Sequence, residues 1–300
     1  MIKLILKLIL DEDRLELFFY WINERHRIWQ KKELGQPWPW TDDTILQEYK
    51  FTNWNREFDA GTVWLRENWL KPYADHPELF FNIVLYRHFN WIGTAEVIGF
   101  TEDWNPGKVE AKLRGMRDRK ERVYTNAHML GMTPSGADRI TYSMNGVLTP
   151  LWDNIEDYEP QPGDTLQSMF KRMKKAKGFG EFLSYEVVTD LRHTRYLNNA
   201  SDIMTWANPG PGAQRGINRL YGITPGPSAN GVKKLFPLEE YVDEMRWLLS
   251  IAPEYLIDDV LDVGLEMRDI EHSLCEFDKY MRVKLGEGRP RVKYKPPHLR

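Results

Sequence analysis

One cysteine, Cys275, stands in a chain of 300 residues. That excludes an internal disulfide and any cysteine-rich zinc site, and it points to a reducing, cytosolic compartment. No apolar run is long enough to span a bilayer. The opening stretch from Met1 to Leu10 is interrupted by Lys3 and Lys7, is followed at once by Asp11-Glu12-Asp13, and has no small-residue cleavage site. It reads as a buried strand or a first helical turn. Alternating strand patterns are almost absent, and nothing repeats with a period of about 20 to 50 residues, which excludes a helical solenoid. No Gly-x-x-x-x-Gly-Lys-Ser/Thr loop occurs; Gly226 to Lys233 approaches the spacing without its ending. No metal-ligand spacing is recognisable. A net charge of −3 argues against a globally basic nucleic-acid binder, so basic patches must be local. Aromatic residues are plentiful, with 12 Trp, 14 Tyr and 13 Phe, to be used as core volume or as stacking surfaces.

Apolar residues recur at the helical period over most of the chain. Leu15, Phe18, Phe19, Ile22 and Ile28 predict a helix from Asp11 to about Leu34, capped by Asp13 or a neighbour. Gly35-Gln-Pro-Trp-Pro-Trp40 ends it, and Thr41 or Asp42 is placed to cap the next helix. Further helices are expected over 57–70, 77–92, 108–130, 164–174, 181–197, 237–250 and 255–284, with loops at about 131–163 and 205–236. The expected fold is a mostly α globule. Its parts are an N-terminal helical lobe over 1–150, a helix-hairpin-helix-like lobe with an anion-binding loop over 151–285, and a basic C-terminal arm over 286–300.

Several constellations carry chemistry. In Lys171-Arg-Met-Lys-Lys-Ala-Lys-Gly-Phe-Gly180, a Gly-x-Gly turn between helices follows a cluster of lysines. Gly178 and Gly180 would free backbone N–H groups for a phosphate, with Lys174, Lys175 and Lys177 adding charge. The alternative is a tight interhelical turn beside solvated lysines. In Pro209-Gly-Pro-Gly-Ala-Gln-Arg-Gly216, open backbone at Gly210 and Gly212 precedes a helix carrying Arg215 and Arg219, a candidate phosphate or pyrophosphate cradle or simply a helix start. Asn53, Arg56 and Asp59 form a polar stripe amid Phe51, Trp54, Phe58 and Trp64, suited to a half-buried network or substrate pocket.

The polar helix Glu271-His-Ser-Leu-Cys-Glu-Phe-Asp-Lys-Tyr280 brings His272, Cys275, Glu276 and Lys279 onto one face, with Glu271, Asp278 and Arg282 beside it. A Cys-His pair suits a nucleophile and its base, but a lone cysteine also serves as inert packing. Asp190, Arg192, His193 and Arg195 form a further polar cluster, a salt-bridged helix end or part of a site. From Arg282 to Arg300 seven Lys or Arg face one Glu, and Arg289 and Arg291 in this arm are placed to follow DNA.

Four of these passages together resemble a phage family: Glu24-Arg25 with Gly35 to Asp59, Asp190 with its cluster, Gly210 to Gly216, and Glu271 to Tyr280. It is the thymidine-hypermodification group, comprising the alpha-glutamyl/putrescinyl thymidine pyrophosphorylases, or amino acid:DNA transferases, and the helical domain of 5-hydroxymethyluracil DNA kinases. The similarity runs from about residue 11 to about residue 295. It implies a fold related to helix-hairpin-helix DNA glycosylases, acting on a thymine-derived base in DNA within the cytoplasm of a phage-infected host. The implied reaction is displacement of pyrophosphate from a modified 5-hydroxymethyluracil by an amino acid or polyamine. Gly210, Gly212, Arg215 and Arg219 would hold pyrophosphate, and Glu271, His272, Glu276, Lys279 and Asp190 would carry the chemistry.

Under this resemblance the implied partners are double-stranded DNA with modified thymine, the amine, and a DNA kinase of the same pathway, with no membrane. A glycosylase's essential Asp would fall near Ala207-Asn208-Pro209-Gly210, where none stands, leaving Asp190 and Asp202 as imperfect substitutes. Trp38 or Trp40 is a candidate to hold an extruded base. No cofactor is read from the sequence, and pyridoxal phosphate or a divalent metal stays open. The alternatives are a helical, DNA-binding module of the kinase and a glycosylase-like binder of modified bases.

Overall fold

The computed structural model describes residues 10–125, 133–223, 235–290 and 292–296. The chain divides into two compact units, one made of Met1–Asp59 with Met204–Arg300 and the other of Ala60–Ile203. The first unit opens with α1 (Glu12–Glu33) and α2 (Thr44–Glu48). The second holds α3 (Ala60–Leu65), α4 (Leu79–Phe89), α5 (Ile92–Ile98), α6 (Pro106–Asp118), α7 (Arg139–Thr141), α8 (Thr149–Asp153), α9 (Leu166–Met173) and α10 (Glu181–Leu191). A π-helical stretch, Tyr142–Leu148, joins α7 to α8. The chain then re-enters the first unit as α11 (Pro211–Leu220), α12 (Leu238–Ile251), α13 (Asp258–Val263) and α14 (Met267–Lys284). Among the described residues there is no strand, only an isolated antiparallel bridge between Tyr49 and Lys293. The boundary expected near residue 150 falls inside α8, within the second unit.

In the first unit α1 forms where its apolar spacing predicts. Asp11 accepts from the Arg14 N–H as the cap, Glu12 and Asp13 occupy the first turn, and Lys31 and Lys32 the last, all favourable to the helix dipole. Leu15, Phe18, Phe19 and Ile22 are buried, and Phe18 meets Phe277 of α14 edge-on at 5.4 Å. Asp43 caps α2 in place of the expected Thr41 or Asp42; the Thr41 hydroxyl accepts from the Asp43 N–H instead. The helix expected over 255–284 is two helices, because Gly264 takes a left-handed φ of 82° and Glu266 restarts the chain through a capping box with Asp269.

The α11–α14 crossing is close. A Cβ on Gly212 would collide with Cys275, and one on Gly216 with the Leu274 backbone carbonyl. Small residues four apart thus let two backbones approach.

In the second unit α4 is buried on every side, as its almost continuous apolar run requires. Its polar residues are paired within the unit. Asn82 exchanges two 2.8 Å hydrogen bonds with the backbone of Thr101, and Arg87 joins α4 to α10.

Candidate functional site

The segment 51–59 meets α14 in the first unit. The Thr52 backbone N–H donates to Glu276 Oε2 at 3.0 Å, and Thr52 Oγ1 lies 2.7 Å from His272 Nε2. From α1, Arg25 donates through Nε to the Thr52 carbonyl at 3.0 Å and through Nη2 to Asn53 Oδ1 at 3.1 Å. Asn53 donates its side-chain amide to the Phe58 carbonyl and its N–H to Asp59 Oδ1. Lys279 Nζ lies 2.5 Å from Glu276 Oε2 and 4.8 Å from the centroid of the Phe51 ring. The polar stripe and the polar helix, distant in sequence, therefore form one half-buried network. Arg56, also in the stripe, is buried with its charge close to Asp59.

The electrostatics of the network separate its two carboxylates. Burial pushes Asp59 up to about 6, against the opposing pull of Arg56 and the Asn53 N–H and with the added repulsion of Glu276. Burial would also raise Glu276, but Lys279 and His272, with hydrogen bonds from Lys279 and Thr52, hold it below the ordinary carboxylate range. Two nearby carboxylates with diverging pKa values suit one ionised anchor and one group able to exchange a proton near neutrality. Cys275 has a different character. Burial and the neighbouring Glu276 and Glu271 push its thiol up to about 12, so it stays protonated and is poorly suited to nucleophilic attack. Glu271 is buried, its Oε1 3.5 Å from where a Gly210 Cβ would stand.

The remaining candidates have partners of their own. Arg215 Nε donates to Asp278 Oδ2 at 2.8 Å, and the fully buried Arg219 pairs with Asp278 Oδ1 at 3.2 Å and with Glu287 at 2.6 Å. Gly212 serves the α11–α14 crossing. Asp190 belongs to the second unit, where both its oxygens accept from Arg87, which also pairs with Glu186 at 2.8 Å. Breaking such a buried ion group costs about 3–5 kcal/mol, so Asp190 has a structural task. Asp202 accepts from the Leu166 and Gln167 N–H groups and caps α9. Trp40 is buried and donates to the Gln36 carbonyl.

The α9–α10 turn leaves Lys175, Lys177 and Gly180 exposed. Gly178 takes a φ of 85°, and Phe179 at the tip is buried. In the arm, Arg289 is exposed and Lys293 pairs with Glu48 at 2.8 Å, while Arg291 lies outside the described residues.

Arg25 and Thr52 are the members of the network that sequence reasoning did not assign a role. The Thr52 contribution depends on a backbone N–H and on a contact across 220 residues to His272, which no local spacing signals. Glu24-Arg25 did stand in the passages that carry the resemblance.

Among the described residues the regular structure is helical and carries this half-buried network, and the comparisons give the chain a family. A family model described as the 5-hmdU DNA kinase, helical domain, matches residues 12–289, and the chain belongs to that family. It is similar to the 5-hmdU DNA kinase of Bacillus phage SP10, 26% identical over 297 residues that cover 91% of this chain and 45% of the relative. The chain thus spans somewhat less than half the length of that kinase. No solved structure matches the chain. Of the two groups in the resemblance, the match supports the kinase's helical domain. No helix among the described residues is long and apolar enough to cross a membrane.

Proposed function

We propose that the chain is a helical, base-handling module of thymine hypermodification in phage DNA, acting in the cytoplasm of the infected host. Its α9–α10 hairpin engages the DNA backbone, in the manner of helix-hairpin-helix proteins, and its first unit receives an extruded 5-substituted uracil. The observation that carries this reading is the junction of Thr52, Asn53 and Asp59 with His272, Glu276 and Lys279. Asp59, ionised at pH 7 but with a pKa of about 6, takes a proton from the hydroxyl or amine that reacts at the 5-position. Glu276 stays ionised and anchors Lys279 and the Thr52 N–H, and Lys279 offers positive charge to developing or phosphorylated oxygen.

Two group transfers fit this network. As the helical portion of a 5-hydroxymethyluracil DNA kinase, the chain would present the hydroxymethyl oxygen while a separate portion holds the phosphoryl donor. The family match and the 45% coverage of the phage kinase favour this version. As an amino acid:DNA transferase, it would join an amine nitrogen to the 5-methylene carbon as the carbon–oxygen bond to pyrophosphate breaks, the amine proton passing to Asp59. The carboxylates favour an amine co-substrate, whereas Arg215 would reach pyrophosphate only by exchanging Asp278 for it.

Nucleoside mass spectrometry separates the two. DNA carrying 5-hydroxymethyluracil is incubated with ATP and the chain, with and without a separate phosphoryl-donor-binding portion of a 5-hydroxymethyluracil DNA kinase; the kinase version gives product only with both. DNA carrying its pyrophosphorylated derivative is incubated with the chain and a mixture of amino acids and polyamines. A phosphorylated nucleoside supports the kinase version and an aminated one the transferase. Free base with abasic sites would mean glycosidic cleavage and overturn both.

A further inference from the structure

The α9–α10 hairpin does not stand alone in the second unit. Lys177 Nζ lies 5.6 Å from the centroid of the Tyr142 ring, and a Cβ on Gly178 would meet Val147 at 3.0 Å; both partners belong to the π-helical stretch that follows α7. At the start of that helical run, the exposed Arg139 lays its guanidinium over the Tyr124 ring at 3.9 Å, and the Tyr124 hydroxyl lies 2.9 Å from Ser143 Oγ of the same stretch. Two residues before Tyr124, the exposed Arg122 covers the Trp91 ring at 4.5 Å. The buried His88 links the ends of this run: its ring lies 6.2 Å from Phe179 of the hairpin, and Arg139 is near enough to act on its charge. Asp138 fixes the frame, accepting from the Thr141 N–H and pairing with Arg114 and Arg117 of α6.

Arg122 and Arg139 differ from the other arginines of this surface. Arg114, Arg117 and Arg119 are paired with carboxylates, but among the described residues Arg122 and Arg139 rest on rings with no carboxylate partner. A guanidinium held over an aromatic face keeps N–H groups free for an anion and loses less freedom on gripping one, and its planar fork matches a phosphate. Cations without carboxylate partners, set in one contiguous run with exposed lysines, suit a polyanion whose charges repeat along a line.

We infer that Lys175, Lys177, Arg139 and Arg122 form one track for the sugar-phosphate backbone of duplex DNA, with Arg139 and Arg122 making phosphate contacts beyond the hairpin. This rests on the reading that the chain engages DNA, and it extends that engagement to a surface outside the Gly-x-Gly turn.

The test is fluorescence anisotropy of the full chain on a labelled duplex at several salt concentrations. Each phosphate contact contributes a slope of about −0.9 in log K against log salt. The pair Arg122→Gln and Arg139→Gln should weaken binding by about tenfold or more and flatten the slope by about 2. The pair Arg122→Lys and Arg139→Lys should keep most of the slope, which separates lost charge from misfolding. Loss of slope in the lysine pair as large as in the glutamine pair would point to misfolding and overturn the assignment. Wild-type binding that is weakened by Lys175→Gln with Lys177→Gln but untouched by the Arg122 and Arg139 pair would overturn the extended track and leave the hairpin reading intact. A wild-type chain that binds no duplex at any salt would overturn the DNA-binding reading itself.

Discussion

Asp59 loses its charge as pH falls through about 6, so the proposed base is active above that value and silent below it. The modification rate is expected to rise from pH 5 to 7 with a midpoint near 6, and Asp59→Asn should remove the midpoint and lower the rate by roughly 10²- to 10⁴-fold. A pH profile of product formation checks both; an unchanged profile in the variant would take Asp59 out of the chemistry. Asp269 is a buried carboxyl of a different kind. Burial pushes it up to about 6 against the charge of Arg268, and its Oδ1 has no hydrogen-bond partner among the described residues. Because its folded pKa lies above its unfolded one, its favourable contribution is complete below about 3.8 and disappears as pH rises through about 6. Asp269→Asn is therefore expected to raise stability at pH 8 by up to about 3 kcal/mol while changing little at pH 4, as read by urea unfolding at the two values. At this scale much of the network was legible. The face His272, Glu276, Lys279 announced itself by helical spacing, whereas Asn53, Arg56 and Asp59, expected on one helix face, lie on a segment that is helical only as a 3-10 turn at Arg56–Phe58 and extended at Asn55 and Asp59. What spacing does not carry is that Arg25 and the Thr52 backbone join them, since those bonds run between segments far apart in the chain.

Among the elements, the α11–α14 pair shows how one motif serves two readings. Pro209-Gly-Pro-Gly looks open enough to cradle a phosphate, yet Gly212 and Gly216 are filled by α14. Gly216→Ala would push a methyl group into the Leu274 carbonyl, which cannot rotate away, and is expected to destabilise the chain by about 2 kcal/mol or more in a denaturant titration. A neutral outcome would show that the helices can separate without cost. The long amphipathic helices were legible from their period. The helical run from α7 to α8 was not, because Pro134, Gly136, Gly146 and Pro150 give residues 131–163 the composition of a loop, and burial of Ile140, Met144, Val147, Leu148 and Leu151 overrides it. The hairpin turn was legible, since Gly178 and Gly180 punctuate the pattern, but its setting against Tyr142 and Val147 depends on tertiary packing.

For the whole molecule, the division into units follows from chain return rather than from any linker. The first unit is completed only when residues after 203 come back to α1, as in the 2.8 Å bond from the Asp11 N–H to the Leu220 carbonyl and the grip of Asn23 on Tyr255 and Ile257. A linear reading looks for composition shifts and so sets its boundary near 150, where none of these contacts is visible. The family match over residues 12–289 spans segments of both units, which agrees with a module that works as one piece of chain. The network of Asp59, His272 and Glu276 is expected to receive an extruded 5-substituted uracil. Photocrosslinking with duplex DNA carrying 5-iodouracil, followed by peptide mass spectrometry, tests it directly. Crosslinks within residues 50–59 or 267–284 are the predicted result; crosslinks confined to the α9–α10 hairpin, with none in those two segments, would contradict it.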